Sequence, residues 1–288
     1  MLSDEHLMRY NRQILLNDFD VAGQESLLRA SVLVVGLGGL GCPAALYLAA
    51  AGVGTLLLAD GDTVEVDNLQ RQIANGDADI GRNKAASAAM AIAALHPGVT
   101  VETVPCELAG DDLAHLVQRV DLVVDATDNY PVRFALNRAC ISARVPLVSA
   151  AAVRSEGQIS LFDPVRGGPC YRCLYPDPPP PGEIPSCAEA GVLGVLPGIV
   201  GSLQALEAIK LILGVGENLI GRLLMVDTLD MDFRMLNVPR NASCPVCGDD
   251  PTVTELIDYE QFCGLPSSIG DNGHRSEEAS LAVELTTG

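Results

Sequence analysis

Four groups of residues in this chain have the types and spacing to do chemistry. The first is Gly36-Leu37-Gly38-Gly39-Leu40-Gly41, which follows an apolar run and precedes a stretch of small residues. Glycines there permit a tight turn and let backbone N–H groups approach a phosphate or ribose at a helix N-terminus. Asp60 ends the next apolar run, where an acid commonly accepts ribose hydroxyls. This group indicates a nucleotide fold and leaves the ligand open: a dinucleotide, another nucleotide, or a glycine turn with none.

The second group is spread along the chain: Asn68, Gln70 and Arg71 in the run Asp67–Gln72, Lys84 after Asn83, and Asp128-Asn129 after Ala126-Thr127. Arg71 and Lys84 can neutralise a triphosphate, with Asp128 as a Mg²⁺ ligand. Taken singly, these read better as an exposed loop arginine, a solvated helix lysine and a helix-capping aspartate. Their joint placement after strand ends favours the phosphate reading. The third group pairs Cys170-Tyr171-Arg172-Cys173 with Cys244-Pro245-Val246-Cys247. Two Cys-x-x-Cys knuckles form the pattern of a closed, structural Zn²⁺ site, the alternative being a redox pair. The fourth is Cys187, just past the proline-rich run 176–185. It reads equally as a nucleophile on a mobile loop or as a thiol that buries on folding. Cys42, Cys106, Cys140 and Cys263 sit in apolar or terminal segments, and the four histidines are scattered, so no histidine-based constellation emerges.

The hydrophobic pattern supplies elements to position these groups. Residues 4–17 read as a helix carrying Arg12. Apolar strands are expected at 31–37, 55–60, 99–105, 122–126 and 146–152, alternating with a turn and helix over 38–51 and helices at 83–95, 112–118 and 130–143. The implied fold class is α/β: a Rossmann-like, mostly parallel sheet with helices on both faces. The pattern then changes to an antiparallel extension (158–163, 223–226 and 233–238), with a helix at 195–213 broken near Pro197 and the zinc knuckle. One domain over 1–250 is expected, with a crossover loop at about 176–189. A short extension, 251–288, reads as flexible after about 265.

Composition narrows the function classes. Of 288 residues, 18 are basic and 37 acidic, a formal net charge of −19 with no basic block, which argues against nucleic acid as a partner. The uncharged stretch 31–59 is long enough to span a membrane, but its glycines and Pro43 divide it into strand, turn, helix and strand, so no membrane segment is expected. The polar first twelve residues and nine cysteines, four of them in knuckles, suggest a reducing, cytoplasmic location.

RYNRQILL, VVGLGGLG, DNLQRQ, GRNKA, ATDN, CYRCL, CAEAGVLGVLPGIVGSLQALEAIKLI and CPVCG occur in this chain. Together they resemble the MoeB/ThiF group of bacterial relatives of ubiquitin-activating enzymes over roughly residues 3–250. FDVAGQESLL and LVSAAAVRSEGQISLF are similar to the MoeB branch, with ThiF close behind. The resemblance implies ATP-dependent adenylylation of the C-terminal glycine of a ubiquitin-like sulfur-carrier protein, releasing pyrophosphate. A MoaD-like carrier, for molybdenum cofactor, is expected first, and a ThiS-like carrier, for thiamine, second. By residue match, Gly39 lies against the nucleotide, Asp60 holds the ribose, and Asn68, Gln70, Arg71 and Lys84 line the phosphates. Asp128 binds Mg²⁺, Arg12 reaches the ATP of the other subunit of a homodimer, and Cys187 matches a cysteine that some members use covalently. A separate sulfur donor is implied, because 251–288 is too short for a rhodanese domain. The competing classes are an NAD(P)-dependent oxidoreductase and a non-catalytic scaffold with a degenerate nucleotide site.

Overall fold

The structure, a computed structural model, describes residues 2–180 and 190–263 and the backbone of Glu284–Leu285. The helices are α1 (Asp4–Arg9), α2 (Asn11–Ile14), α3 (Asp20–Arg29), α4 (Gly41–Ala51), α5 (Lys84–Leu95), α6 (Gly110–Val117), α7 (Tyr130–Ala143), α8 (Tyr171–Leu174), α9 (Val195–Leu213) and α10 (Tyr259–Phe262). The strands are β1 (Ser31–Val35), β2 (Thr55–Ala59), β3 (Thr100–Val104), β4 (Leu122–Asp125), β5 (Leu147–Val153), β6 (Glu156–Phe162), β7 (Arg222–Asp227), β8 (Asp232–Asn237) and β9 (Glu284–Leu285).

All strands belong to one sheet of order β8-β7-β6-β5-β4-β1-β2-β3-β9. The segment β3-β2-β1-β4-β5 is parallel. From β5 outward, β6, β7 and β8 pair antiparallel, and two residues of β9 pair antiparallel to β3. The parallel strands are apolar without alternation because both faces are covered: all four residues of β4 are buried, as are four of five in β1 and in β2. One core packs α3, α4, α5 and α9 on one face. The other packs α6, α7, α8 and α10 on the opposite face. Helix α9 is long and apolar enough to cross a membrane by composition. It serves here as a core helix against α4, β5 and β6, and its Gln204 is buried, donating 2.7 Å to the carbonyl of Asp125 at the end of β4.

Two local expectations change, and a third element gains a position. The helix expected at 4–17 is two short helices, separated at Tyr10 (φ −99°, ψ 8°). Pro197 does not break α9: it occupies the third position, inside the first turn, where backbone N–H groups have no intrahelical acceptor. The extension after the second knuckle folds back on the domain, since Arg138 of α7 donates to the Val253 carbonyl and Phe262 stacks edge-on with Phe134. The flexible tail expected after 265, apart from β9, lies outside the described residues.

Tyr10 separates α1 and α2 because its side chain is buried, with its hydroxyl 2.5 Å from His96 Nε2. Gly98 N–H donates to His96 Nδ1, so the neutral ring keeps its proton on Nε2 and donates to Tyr10. Burial first, then the positive charges of Arg9 and His6, hold His96 below its ordinary value, with Glu5 opposing. The unfolded chain therefore binds this proton more readily than the folded one, and stability is lost as pH falls through about 6.5. Denaturant unfolding at pH 7.5 and 5.5 should show that loss, and His96→Asn, which cannot titrate, should flatten part of it. An unchanged pH dependence in His96→Asn would assign the effect elsewhere.

Candidate active site

Strand order reverses at β1, whose neighbours β2 and β4 lead the chain in opposite directions, and a cleft of about 750 Å³ opens beyond the carboxyl ends of these strands. The glycine turn forms its floor. Gly36 has φ +86°, and a Cβ there would sit 2.8 Å from the Ala126 carbonyl oxygen. At Gly41 a Cβ would fall 1.8 Å from the Gly36 carbonyl oxygen, so only glycine lets the turn fold back before α4 begins. Gly38 and Gly39 face the cleft.

Asp60 follows β2 and is tied to this turn. Its carboxylate accepts from Leu37 N–H at 2.6 Å and from Asp62 N–H at 2.9 Å. Burial raises its pKa, against the opposing pull of those two N–H groups and of Lys84. Lys84 opens α5 with its side chain 11% exposed and Nζ 2.7 Å from Asp62 Oδ2. Arg71 is half-buried, donates to the Asp67 carbonyl at 2.9 Å and has no ion pair with a described carboxylate. Asp128 is exposed on the cleft wall, and its carboxylate has no hydrogen-bond or ion-pair partner among the described residues. Asn129 caps α7 by accepting from Val132 N–H.

The structure thus brings Gly36, Gly38, Gly39, Asp60, Arg71, Lys84, Asp128 and Asn129 to one cleft. Gly41 shapes the turn from behind. Asn68 and Gln70 are not among the lining residues. The Asn68 amide is engaged by Glu65 N–H and Asp67, and Gln70 lies against Gly194. Arg12 is exposed on α2, away from this chain's own cleft. Cys187 lies outside the described residues.

Sequence reasoning missed Gln72, Arg133, Gln158, Tyr175 and Cys263, which also line the cleft. Arg133 is buried on α7 and donates to the carbonyls of Thr127 and Ala150. Nearby Asp125 is fully buried at the end of β4, accepting from Thr127 N–H, Thr127 Oγ1 and Ser149 Oγ. This network fixes the turn that presents Asp128. The usable signal was Asp125 itself, an acid ending an otherwise wholly apolar strand.

The four knuckle cysteines converge away from the cleft. Their sulfur atoms all lie within 4.8 Å of one another. Sγ–Sγ distances are 3.6 Å for Cys170–Cys244, 3.4 Å for Cys173–Cys247 and 3.9 Å for Cys173–Cys170. A tetrahedron of Zn–S bonds near 2.3 Å has edges of about 3.8 Å, so the set fits Zn²⁺ and is far too open for a disulfide. Asn241 N–H donates to Cys173 Sγ, a bond that favours a thiolate.

Comparison with known proteins agrees with this geometry. The ThiF family model matches residues 10–246. The chain is 51% identical over 265 residues to the "Sulfur carrier protein adenylyltransferase" of Thermus thermophilus, covering 91% of this chain and 98% of that one. It is 50% identical to the "Adenylyltransferase and sulfurtransferase MOCS3" of Mus musculus, covering 91% of this chain but 57% of the mouse protein. Among solved structures, E. coli MccB with ATP superposes with a TM-score of 0.71 at 24% identity, covering 83% of this chain and 73% of MccB, a likeness of fold. The match leaves the oxidoreductase alternative without support: this chain belongs to the ThiF family.

Proposed function

We propose that the chain adenylylates the C-terminal glycine carboxylate of a ubiquitin-like sulfur-carrier protein with ATP, releasing pyrophosphate, and that the carrier is MoaD-like. The names of its relatives support the reaction class and the sulfur-carrier substrate. The observation that carries the reading is the gathering of Asp60, Arg71, Lys84 and Asp128 around one glycine turn.

The carrier's carboxylate is ionised at neutral pH, so it needs no protein base, and no histidine lines the cleft among the described residues. A carboxylate oxygen attacks the α-phosphorus, the Pα–O bond to the β-phosphate breaks, and pyrophosphate leaves with that electron pair. Catalysis is then positioning and charge neutralisation. In this reading Asp60 holds the ribose hydroxyls, and Arg71 and Lys84 offset the charge that builds on the leaving pyrophosphate. Asp128 supplies an oxygen ligand for Mg²⁺, and this carboxylate, exposed on the cleft wall, suits a hard cation. Bound Mg²⁺ would supply positive charge to the phosphate oxygens. Zn²⁺ held by Cys170, Cys173, Cys244 and Cys247 has no open ligand position, so its role is structural. Arg12, exposed away from its own cleft, acts on the neighbouring site of a homodimer.

The test is ATP–pyrophosphate exchange with purified carriers. Exchange should require Mg²⁺ and a carrier ending in glycine, and the MoaD-like carrier should exceed the ThiS-like one by at least about tenfold in kcat/KM, a difference of about 1.4 kcal/mol. Exchange with the ThiS-like carrier alone would transfer the assignment to thiamine synthesis. No exchange with any carrier would end the reading.

A further inference from the structure

Lys84 sits where an isolated cation is disfavoured. It is the first residue of α5, a 12-residue helix whose N-terminal N–H groups already present positive partial charge. Its side chain is also only 11% exposed. Such a charge needs a counter-ion, and its direct ion-pair partner among the described residues is Asp62, at 2.7 Å, with Asp60 close enough to feel its charge.

The backbone fixes that pairing. Lys84 N–H donates to the Asp62 carbonyl at 2.9 Å, and the Asn83 amide bridges the carbonyls of Asp60 and Asp62. Thr63 and Asn83 form an antiparallel bridge, and Val64 N–H donates to the Arg82 carbonyl. The two side chains therefore face each other across a clip of main-chain hydrogen bonds. They differ in freedom: the Asp62 side chain is 69% exposed, so its carboxylate can swing into water while Lys84 stays in the cleft.

We propose that Asp62 is a positioning residue that holds the place of a phosphate oxygen on Lys84 before nucleotide binds and yields it when ATP enters. This rests on the assignment of Lys84 to the phosphates. Asp62 keeps the ammonium aimed and neutralised without nucleotide, and its displacement opposes nucleotide binding. It also returns to Lys84 as pyrophosphate departs, which favours product release.

The test is a double-mutant cycle by calorimetry on the full zinc-loaded chain, with the α,β-methylene analogue of ATP and Mg²⁺ as probe. Asp62→Asn keeps an acceptor oxygen and loses the charge. It should tighten the analogue by about fivefold, the scale of a partly exposed ion pair. In a Lys84→Met background the same substitution should change affinity by less than about twofold, because the charge it relieves acts through Lys84. In turnover, Asp62→Asn should lower KM for ATP more than it changes kcat, whereas a merely structural residue would raise KM as the site loosens. Equal tightening in both backgrounds, no tightening, or weaker binding in Asp62→Asn would overturn the inference. If Lys84→Met weakens binding and Asp62→Asn is silent, the inference alone falls. If Lys84→Met leaves affinity unchanged, the phosphate assignment falls and takes the inference with it.

Discussion

Asp128→Ala should reduce carrier-dependent ATP–pyrophosphate exchange by on the order of 10³-fold or more, below detection in an ordinary assay. The carboxylate stands on the cleft wall without a hydrogen-bond or ion-pair partner among the described residues, and the residues before it are held by a buried network. Asp125 clamps Thr127, and Arg133 binds the Thr127 carbonyl. So much fixed polar structure around an exposed acid makes sense if the acid must meet a cation at a set position. Alanine leaves that network intact, so folding should survive and the loss should be chemical. Asp128→Asn should also fail, because a neutral amide is a poor Mg²⁺ ligand. Cys187→Ala is the internal comparison. No thiol is needed to form an acyl-adenylate, so exchange should stay within a few-fold of wild type, less than about 1.4 kcal/mol. Any role for that thiol should appear only as a lost covalent adduct or slower sulfur transfer. Robust exchange by Asp128→Ala would remove the metal assignment, and loss of exchange in a folded Cys187→Ala protein would place the thiol in the first step.

The second large effect concerns stability. Metal analysis should find one Zn²⁺ per chain, and Cys244→Ala should destabilise the protein by more than about 4 kcal/mol, since metal sites contribute folding free energy directly. At about 2–4 °C per kcal/mol, the melting temperature should fall by on the order of 10 °C. The knuckles join α8, whose Tyr171 packs edge-on against Phe134 and Phe162 in the core, to a loop held by the Arg240 guanidinium on the Cys247 carbonyl. Residues 251–263 lead from that loop back to α7 and place Cys263 at the cleft. Metal loss should therefore raise hydrogen exchange in this segment before it does so in β1 or β4. A protein without zinc, with four freely titratable thiols and an unchanged melting temperature, would remove the metal site.

The parallel half of the sheet was legible because strands buried on both faces read as unbroken apolar runs, and because the glycine turn can follow only such a strand. The catalytic candidates at strand ends were legible for the same reason, since position along the sheet is set by chain order. The rest depends on tertiary placement. Arg133 reads as a solvent-facing helix arginine until α7 packs against β4 and β5. The carboxylate of Asp62 has no special mark until the clip at 81–84 brings Lys84 opposite it. Pro197 reads as a helix breaker unless the start of α9 is known to within a turn, and Tyr10 reads as a helix residue until His96 offers its ring.

Helix α9 has a bearing on how the chain emerges from the ribosome. The unit of β1, α4 and β2 is complete by Ala59, but the helix that covers α4 begins only at Val195. At roughly 5–20 residues per second, the interval is on the order of ten seconds. Throughout it, the part of α4 that α9 covers in the finished fold, at Pro43 against Gly201, is open to water and to neighbouring nascent chains. A holdase that binds short apolar helices would have its longest opportunity there, well before the knuckle cysteines at 244 and 247 have been synthesised.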